Sequence, residues 1–267
     1  MTGMVDTLDA ATADLVLANR ILANEGALDG FGHVSTRHPR DPDRFLLSRS
    51  RSPELVEAED VREFDLDARP LSEDGAAHYA ERVIHGCAYR ARPDVGAVCH
   101  LHAAPLLPFA NTGTEILPVL HVGAVIGGEV PFWDARDEFG DTDMLVSTLT
   151  QGRSLARALG PHWAVVLRRH GAVVVGRSLR EVVFRAVHLK LNAEVQLQAQ
   201  ALGSLTALSP REVELSAEVN LRPTVQERIW DYWVSRLPDR DDARVEHRPH
   251  APNGAARRTA PAPILAE

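Results

Sequence analysis

Residues 94–105, DVGAVCHLHAAP, decide how this chain is read. From Asp94 to Leu101 the run is almost wholly apolar, so a buried strand is expected there. Side chains two apart in a strand point to the same face. His100 and His102 therefore present two imidazoles side by side at a strand end, a geometry suited to one metal ion. Farther on, RRHGAVVVG (residues 168–176) sets His170 between two more strand-like runs, Trp163 to Leu167 and Ala172 to Val175, with Gly171 expected to supply the tight turn. Three protein nitrogens on a divalent ion leave coordination positions open, as catalytic sites do. Twelve histidines in the chain make an HxH pair easy to meet by accident. The weight comes from context, because both clusters lie at the ends of apolar strands rather than in solvated helices.

Composition narrows the class. The 267 residues are 45% apolar and 25% charged, an ordinary globular balance that accommodates one large domain. A net charge of −8 without a basic block argues against nucleic acid. Two cysteines, Cys87 and Cys99, make no disulfide framework and fit a cytoplasmic protein. No apolar run approaches the roughly 18 residues of a membrane span, and the acidic N-terminus lacks the pattern of a signal peptide.

Periodicity predicts a helix over residues 7–25 and a strand pair at His33 to Arg37 and Phe45 to Leu47. A short helix over 53–62 and a strand at Phe64 to Leu66 should follow. The stretch Ala76 to Ala91 reads as a helix carrying His78, Glu81 and His85 on one face. Further strands are expected at Ile116 to His121 and Glu129 to Phe132, and helices at Met144 to Leu159, Leu179 to Leu202 and Val225 to Leu237. The pattern is α/β in one domain, residues 1–238, followed by a flexible tail, 239–267, rich in Pro, Ala and charge.

The block YAERVIHGCAYRARPDVGAVCHLHAAP, the His170-Gly171 turn and the entry segment GFGHVSTRHP (residues 30–39) together resemble the class II aldolase/adducin family. Glu81 stands nineteen positions before His100, where the family has its catalytic glutamate. His33 falls where the family usually has asparagine. The resemblance implies a three-layer α/β/α domain around a mixed central sheet of about nine strands, and a homotetramer with active sites at subunit interfaces. It also implies one divalent metal ion per subunit (Fe2+, Zn2+ or Mn2+) on His100, His102 and His170, with Glu81 as general acid/base.

The chain departs from the family's sugar-phosphate aldolases. Where they have a T-P-x-G phosphate loop it has Ser48, Arg49, Ser50 and Arg51, and where they have a serine pair before the glutamate it has His78-Tyr79-Ala80. Arginine favours planar carboxylates through paired hydrogen bonds, so this loop is expected to bind a small carboxylate substrate, with His33 and His121 as further lining residues. SRSRSPEL and HVGAVIGGEVPFWDARDEFGDTDMLV resemble a branch acting on non-phosphorylated substrates. That branch holds decarboxylases of hydroxy-carboxy-muconic semialdehydes and dihydroxyphthalate, and the non-haem iron oxygenases of aminocoumarin antibiotic biosynthesis. The resemblance thus implies metal-dependent carbon–carbon bond cleavage on an aromatic or aromatic-derived oxo or hydroxy carboxylate, first as a decarboxylase. The alternatives are an Fe(II) oxygenase shortening a prenylated hydroxyphenylpyruvate to a benzoate, and a sugar-phosphate aldolase. The adducin branch, a binding module without the metal ligands, is disfavoured by the full set of Glu81 and three histidines.

Overall fold

The computed structural model describes residues 7–238. Its chain runs α1 (Thr7–Asn24), β1 (His33–Arg37), β2 (Arg44–Ser48), β3 (Val61–Asp65), α2 (Val83–Ala91), β4 (Ala97–Leu101), α3 (Leu107–Thr112), β5 (Phe132–Trp133), α4 (Arg136–Phe139), α5 (Leu149–Leu159), β6 (Ala164–Leu167), β7 (Gly171–Gly176), α6 (Leu179–Leu202), α7 (Pro210–Asn220) and α8 (Pro223–Ser235). The strands form one mixed sheet in the order β3-β2-β1-β4-β7-β6-β5, antiparallel except where β5 pairs with β6. Among the described residues the sheet has seven strands rather than about nine. The expected tail lies outside those residues.

Period-two alternation along the central strands builds two apolar layers. Ala97, Cys99 and Leu101 of β4, with Ala172 and Val174 of β7, pack toward α1, α6 and α8. Val98, Val173 and Val175 face the other way, toward α2 and α5. His100 shares a face with Val98, and its register partner on β1 is His33. Both imidazoles therefore emerge on the α2–α5 side. This is a three-layer α/β/α architecture with the sheet in the middle.

Local chemistry sets several boundaries. Ser178 caps α6 by accepting the Glu181 N–H, and Thr148 and Gln151 make a reciprocal capping box at α5, which moves that helix start from Met144 to Leu149. The expected helix over 53–62 is two short 3-10 turns, Pro53–Leu55 and Ala58–Asp60, running into β3. The expected helix over 76–91 is helical only from Val83, after a 3-10 turn at Ala80–Arg82. Tyr79 is extended because its hydroxyl is drawn to the Arg51 carbonyl, and Glu81 is held by a backbone N–H from Val146. His78, Glu81 and His85 consequently do not share a helix face. Gly86 lies at a close approach, since a Cβ there would come within 2.6 Å of the Leu66 carbonyl oxygen. Residues 116–121 pair with no strand and end in a turn at His121, and β5 is shorter and later than the expected 129–132. No helix among the described residues is long and apolar enough to cross a membrane.

Candidate metal centre

Four side chains converge where β4 ends against the turn between β6 and β7. One ligand atom from each of Glu81, His100, His102 and His170 lies within 4.8 Å of the other three. His100 Nε2 is 3.0 Å from His102 Nε2 and 3.3 Å from Glu81 Oε2, while His170 Nε2 is 3.7 Å from that same oxygen. Two nitrogens bound to one ion at tetrahedral geometry stand about 3.3 Å apart, given metal–nitrogen lengths of about 2.0–2.1 Å.

The partners of the other ring nitrogens test whether a cation fits. His100 Nδ1–H donates to the Ala172 carbonyl (3.2 Å), and His102 Nδ1–H donates to Asp29 Oδ1 (3.1 Å). Both hydrogen bonds place the proton on Nδ1 and leave Nε2 with a lone pair. Two neutral imidazoles so held aim lone pairs at each other across 3.0 Å, an arrangement that a cation between them satisfies. The donor set of three nitrogens and one carboxylate suits a divalent first-row metal.

Glu81 is buried beside these rings. Burial alone pushes its carboxyl up, but the His100 and His170 rings, in so far as they are protonated, and the Val146 N–H together hold it down at about 2. Its Oε1 accepts that N–H at 2.9 Å. Burial and then the charge of His100 depress His170 to about 4. Burial also lowers His102, against the opposing pull of Asp29. All of these shifts favour carboxylate and neutral imidazole near neutral pH, the states that bind a metal.

The turn at His170 is not made as the sequence predicts. Arg169, with φ 61°, occupies the left-handed position, and Gly171 has no positive φ. Gly171 is required for a different reason: a Cβ would lie 2.3 Å from the Leu101 carbonyl oxygen and 2.9 Å from the His102 ring. A left-handed conformation at a residue other than glycine stores strain, here beside a candidate ligand.

A cavity of about 470 Å³ opens over the cluster, with Glu81, His102, His170, His33, Ser50, Tyr79, Phe31 and Arg169 among its lining. His33 and Ser50 are thus on its wall. Arg49 and Arg51 are not. Arg49 Nε donates to Asp60 Oδ1 at 2.6 Å and Arg51 Nε lies 3.2 Å from the other oxygen, so buried Asp60 draws both guanidinium groups away. Ser48 is buried with its hydroxyl 3.3 Å from that of Tyr79. His121 stands against α7, where Asn220 donates to its carbonyl, and is absent from the cavity.

Two contributors escape the sequence reading. Asp29 orients His102 and had an audible signal, because DGFG is a turn in which an aspartate accepts downstream N–H groups. Arg169 gave none: its neighbour Arg168 points instead over Phe132, 5.7 Å from the ring centre.

A family model described as the class II aldolase and adducin N-terminal domain matches residues 13–197. A 3,4-dihydroxyphthalate decarboxylase of Terrabacter is 31% identical over 244 residues, which is 85% of this chain and 98% of that protein. A protein of Streptomyces roseochromogenus named 4-hydroxy-3-prenylphenylpyruvate oxygenase/4-hydroxy-3-prenylbenzoate synthase is 34% identical over 130 residues, 49% of this chain and 44% of that one. Among solved structures, an L-fuculose 1-phosphate aldolase from Glaciozyma antarctica superposes with a TM-score of 0.73 at 21% identity, over 89% and 92% of the two chains. At that identity the likeness concerns the fold.

Proposed function

Because the chain belongs to the class II aldolase and adducin family, we propose that it is a metal-dependent decarboxylase of an aromatic or aromatic-derived oxo or hydroxy carboxylate. The carrying observation is the convergence of three imidazoles and Glu81 at the edge of one cavity, which Glu81, His102 and His170 line with His100 buried beside them, in a chain that a dihydroxyphthalate decarboxylase matches over nearly its whole length. In this reading His100, His102 and His170 hold one divalent ion. When bound, that ion supplies an electrophile that stabilises negative charge on a substrate oxygen, by several kcal/mol.

The remaining chemistry belongs to the chain. Glu81 is a carboxylate at neutral pH, so it begins as the base and takes the proton of a hydroxyl next to the departing group. When the bond to CO2 breaks, its electron pair stays on the substrate carbon, and Glu81 returns the proton there. The phenolate oxygen left behind recovers a proton from water. Arg169 is the guanidinium on the cavity wall, in place of the Arg49 and Arg51 expected from sequence. Asp134 holds its Nη2 through two contacts of 2.7 Å, and Nη1 has no partner among the described residues, which leaves it able to donate to a second substrate carboxylate.

The test is metal analysis of the purified protein with an assay of hydroxylated phthalates and related oxo acids, with and without oxygen. One metal per chain and CO2 release without oxygen are the expected results. Turnover requiring both iron and oxygen would transfer the assignment to the oxygenase reading, which the 34% identity to the Streptomyces protein supports. An aldehyde released from a sugar phosphate would overturn both.

The proposal extends to a homotetramer acting in the cytoplasm. Phe31 lines the cavity yet is 79% exposed, as expected of a side chain that a neighbouring subunit covers. Cys87 and Cys99 are buried free thiols, in keeping with a reducing compartment. Light scattering should give four times the chain mass; a monomer that turns over at full rate would remove the interface from the site.

A further inference from the structure

Four buried polar side chains form an unbroken series behind the cavity wall. His33 Nδ1 lies 2.7 Å from His85 Nε2, His85 Nδ1 lies 2.6 Å from Ser35 Oγ, and that oxygen lies 2.8 Å from the Tyr89 hydroxyl. Each of the four residues is at most 1% exposed. They come from β1 and α2, and none belongs to the four-residue metal cluster. The Tyr79 ring packs on His33 with centres 4.4 Å apart, and Phe45 stacks on His85 at 6.2 Å, so neither imidazole is free to turn.

Each link holds one hydrogen, so the direction of one fixes the next. Tyr89 sets that direction. Its hydroxyl has no neighbour among the described residues to donate to except Ser35. A buried hydroxyl that donates to nothing is unfavourable. Tyr89 therefore donates to Ser35, Ser35 donates to His85 Nδ1, and the Nε2–H of His85 donates to His33 Nδ1. The ring proton of His33 is then on Nε2. That nitrogen has no partner among the described residues, on a side chain that lines the cavity with Glu81 and His170.

We propose that the Tyr89–Ser35–His85 series fixes His33 as a hydrogen-bond donor, through Nε2, to an oxygen of the bound substrate. This wall then selects ligands that place a carboxylate, phenolate or keto oxygen against it, beside the oxygen taken by the metal centre. The substrate class rests on the decarboxylase reading; the polarity of the series does not.

Long-range ¹H–¹⁵N spectra of the zinc-loaded chain, labelled at histidine and assigned with His33 and His85 variants, report which ring nitrogen carries each proton. Protonation of both rings at Nε2 is expected, and Tyr89→Phe should convert them to a mixture of tautomers. A His33 proton on Nδ1 in the unmodified chain would overturn the polarity, and so would a Tyr89→Phe spectrum identical to it. In turnover, His33→Leu should lower kcat/KM about 10- to 100-fold with metal content unchanged, as loss of a hydrogen bond to a charged oxygen does. His33→Gln, whose Nε2 remains a donor, should recover most of it. Equal losses in the two variants would remove the donor role. A chain that decarboxylates nothing yet shows the Nε2 tautomers would sink the decarboxylase reading alone.

Discussion

At the scale of single residues, Asp29 does two tasks with one oxygen. Its Oδ1 accepts the backbone N–H groups of Phe31 (3.0 Å) and Gly32 (2.8 Å), shaping the entry to β1, and also accepts His102 Nδ1–H. The carboxylate thereby fixes the tautomer and direction of a metal ligand and raises its basicity. Asp29→Asn keeps an oxygen for the turn but loses the charge. Its metal dissociation constant should rise about 10- to 100-fold, measured by competition with a chelator, with little change in melting temperature. An unchanged constant would reduce Asp29 to a turn former. His100 and His102 were suggested by strand alternation and His170 by its place between two apolar runs, which are local signals, whereas Glu81 came from the family resemblance. The Arg49 and Arg51 reading strayed because Asp60, whose buried charge claims both, is recognisable only once the chain has folded. Arg169 reached the cavity through a left-handed backbone that a non-glycine residue does not advertise.

At the scale of elements, the segment expected as a strand at 116–121 shows what periodicity misses. Its apolar run is real, but its backbone groups are paired by side chains of α6 instead of by a neighbouring strand. Asn192 accepts the Val119 N–H (2.9 Å) and donates to the Leu117 carbonyl (2.7 Å); one turn on, Gln196 accepts the Leu117 N–H (2.9 Å) and donates to the Glu115 carbonyl (2.8 Å). Two amides at i and i+4 act as a portable strand edge. Asn192→Leu should leave one half-buried N–H and one half-buried carbonyl unsatisfied, destabilising the chain by about 2 kcal/mol. The melting temperature should then fall by about 5–10 °C in calorimetry. A shift under one degree would mean that water replaces the amide at no cost. The helix expected over 76–91 failed for a related reason. Its first turns have helical composition, but Tyr79 and Glu81 are committed to Arg51 and Val146, contacts that no window of neighbouring residues contains.

At the scale of the whole molecule, the central strands gather histidines in a region from which water is excluded, and this couples folding to pH. Burial, reinforced by the charges of neighbouring histidines, holds His33 well below the usual imidazole range, and burial drives His85 down to about 3. In the unfolded chain both should titrate near about 6.5. Between that value and about 3 the unfolded chain binds more protons than the folded one, so unfolding becomes easier as the pH falls and stability rises with pH through the window. Each such histidine contributes a slope of up to about 1.4 kcal/mol per pH unit. Carboxylates held low in the folded chain, such as Asp94 beside Arg92, act with the same sign but only once the pH approaches about 4. Loss of stability between about pH 6.5 and 5 is therefore a histidine effect. Urea unfolding of metal-free protein at several pH values across that range should show it, and His85→Gln should lower the slope by one histidine's share, up to about 1.4 kcal/mol per pH unit, because His33, His102, His170 and His188 are also held low. If that variant keeps the full slope, the protons are taken up elsewhere and His85 is not the neutral, sequestered group its surroundings make it.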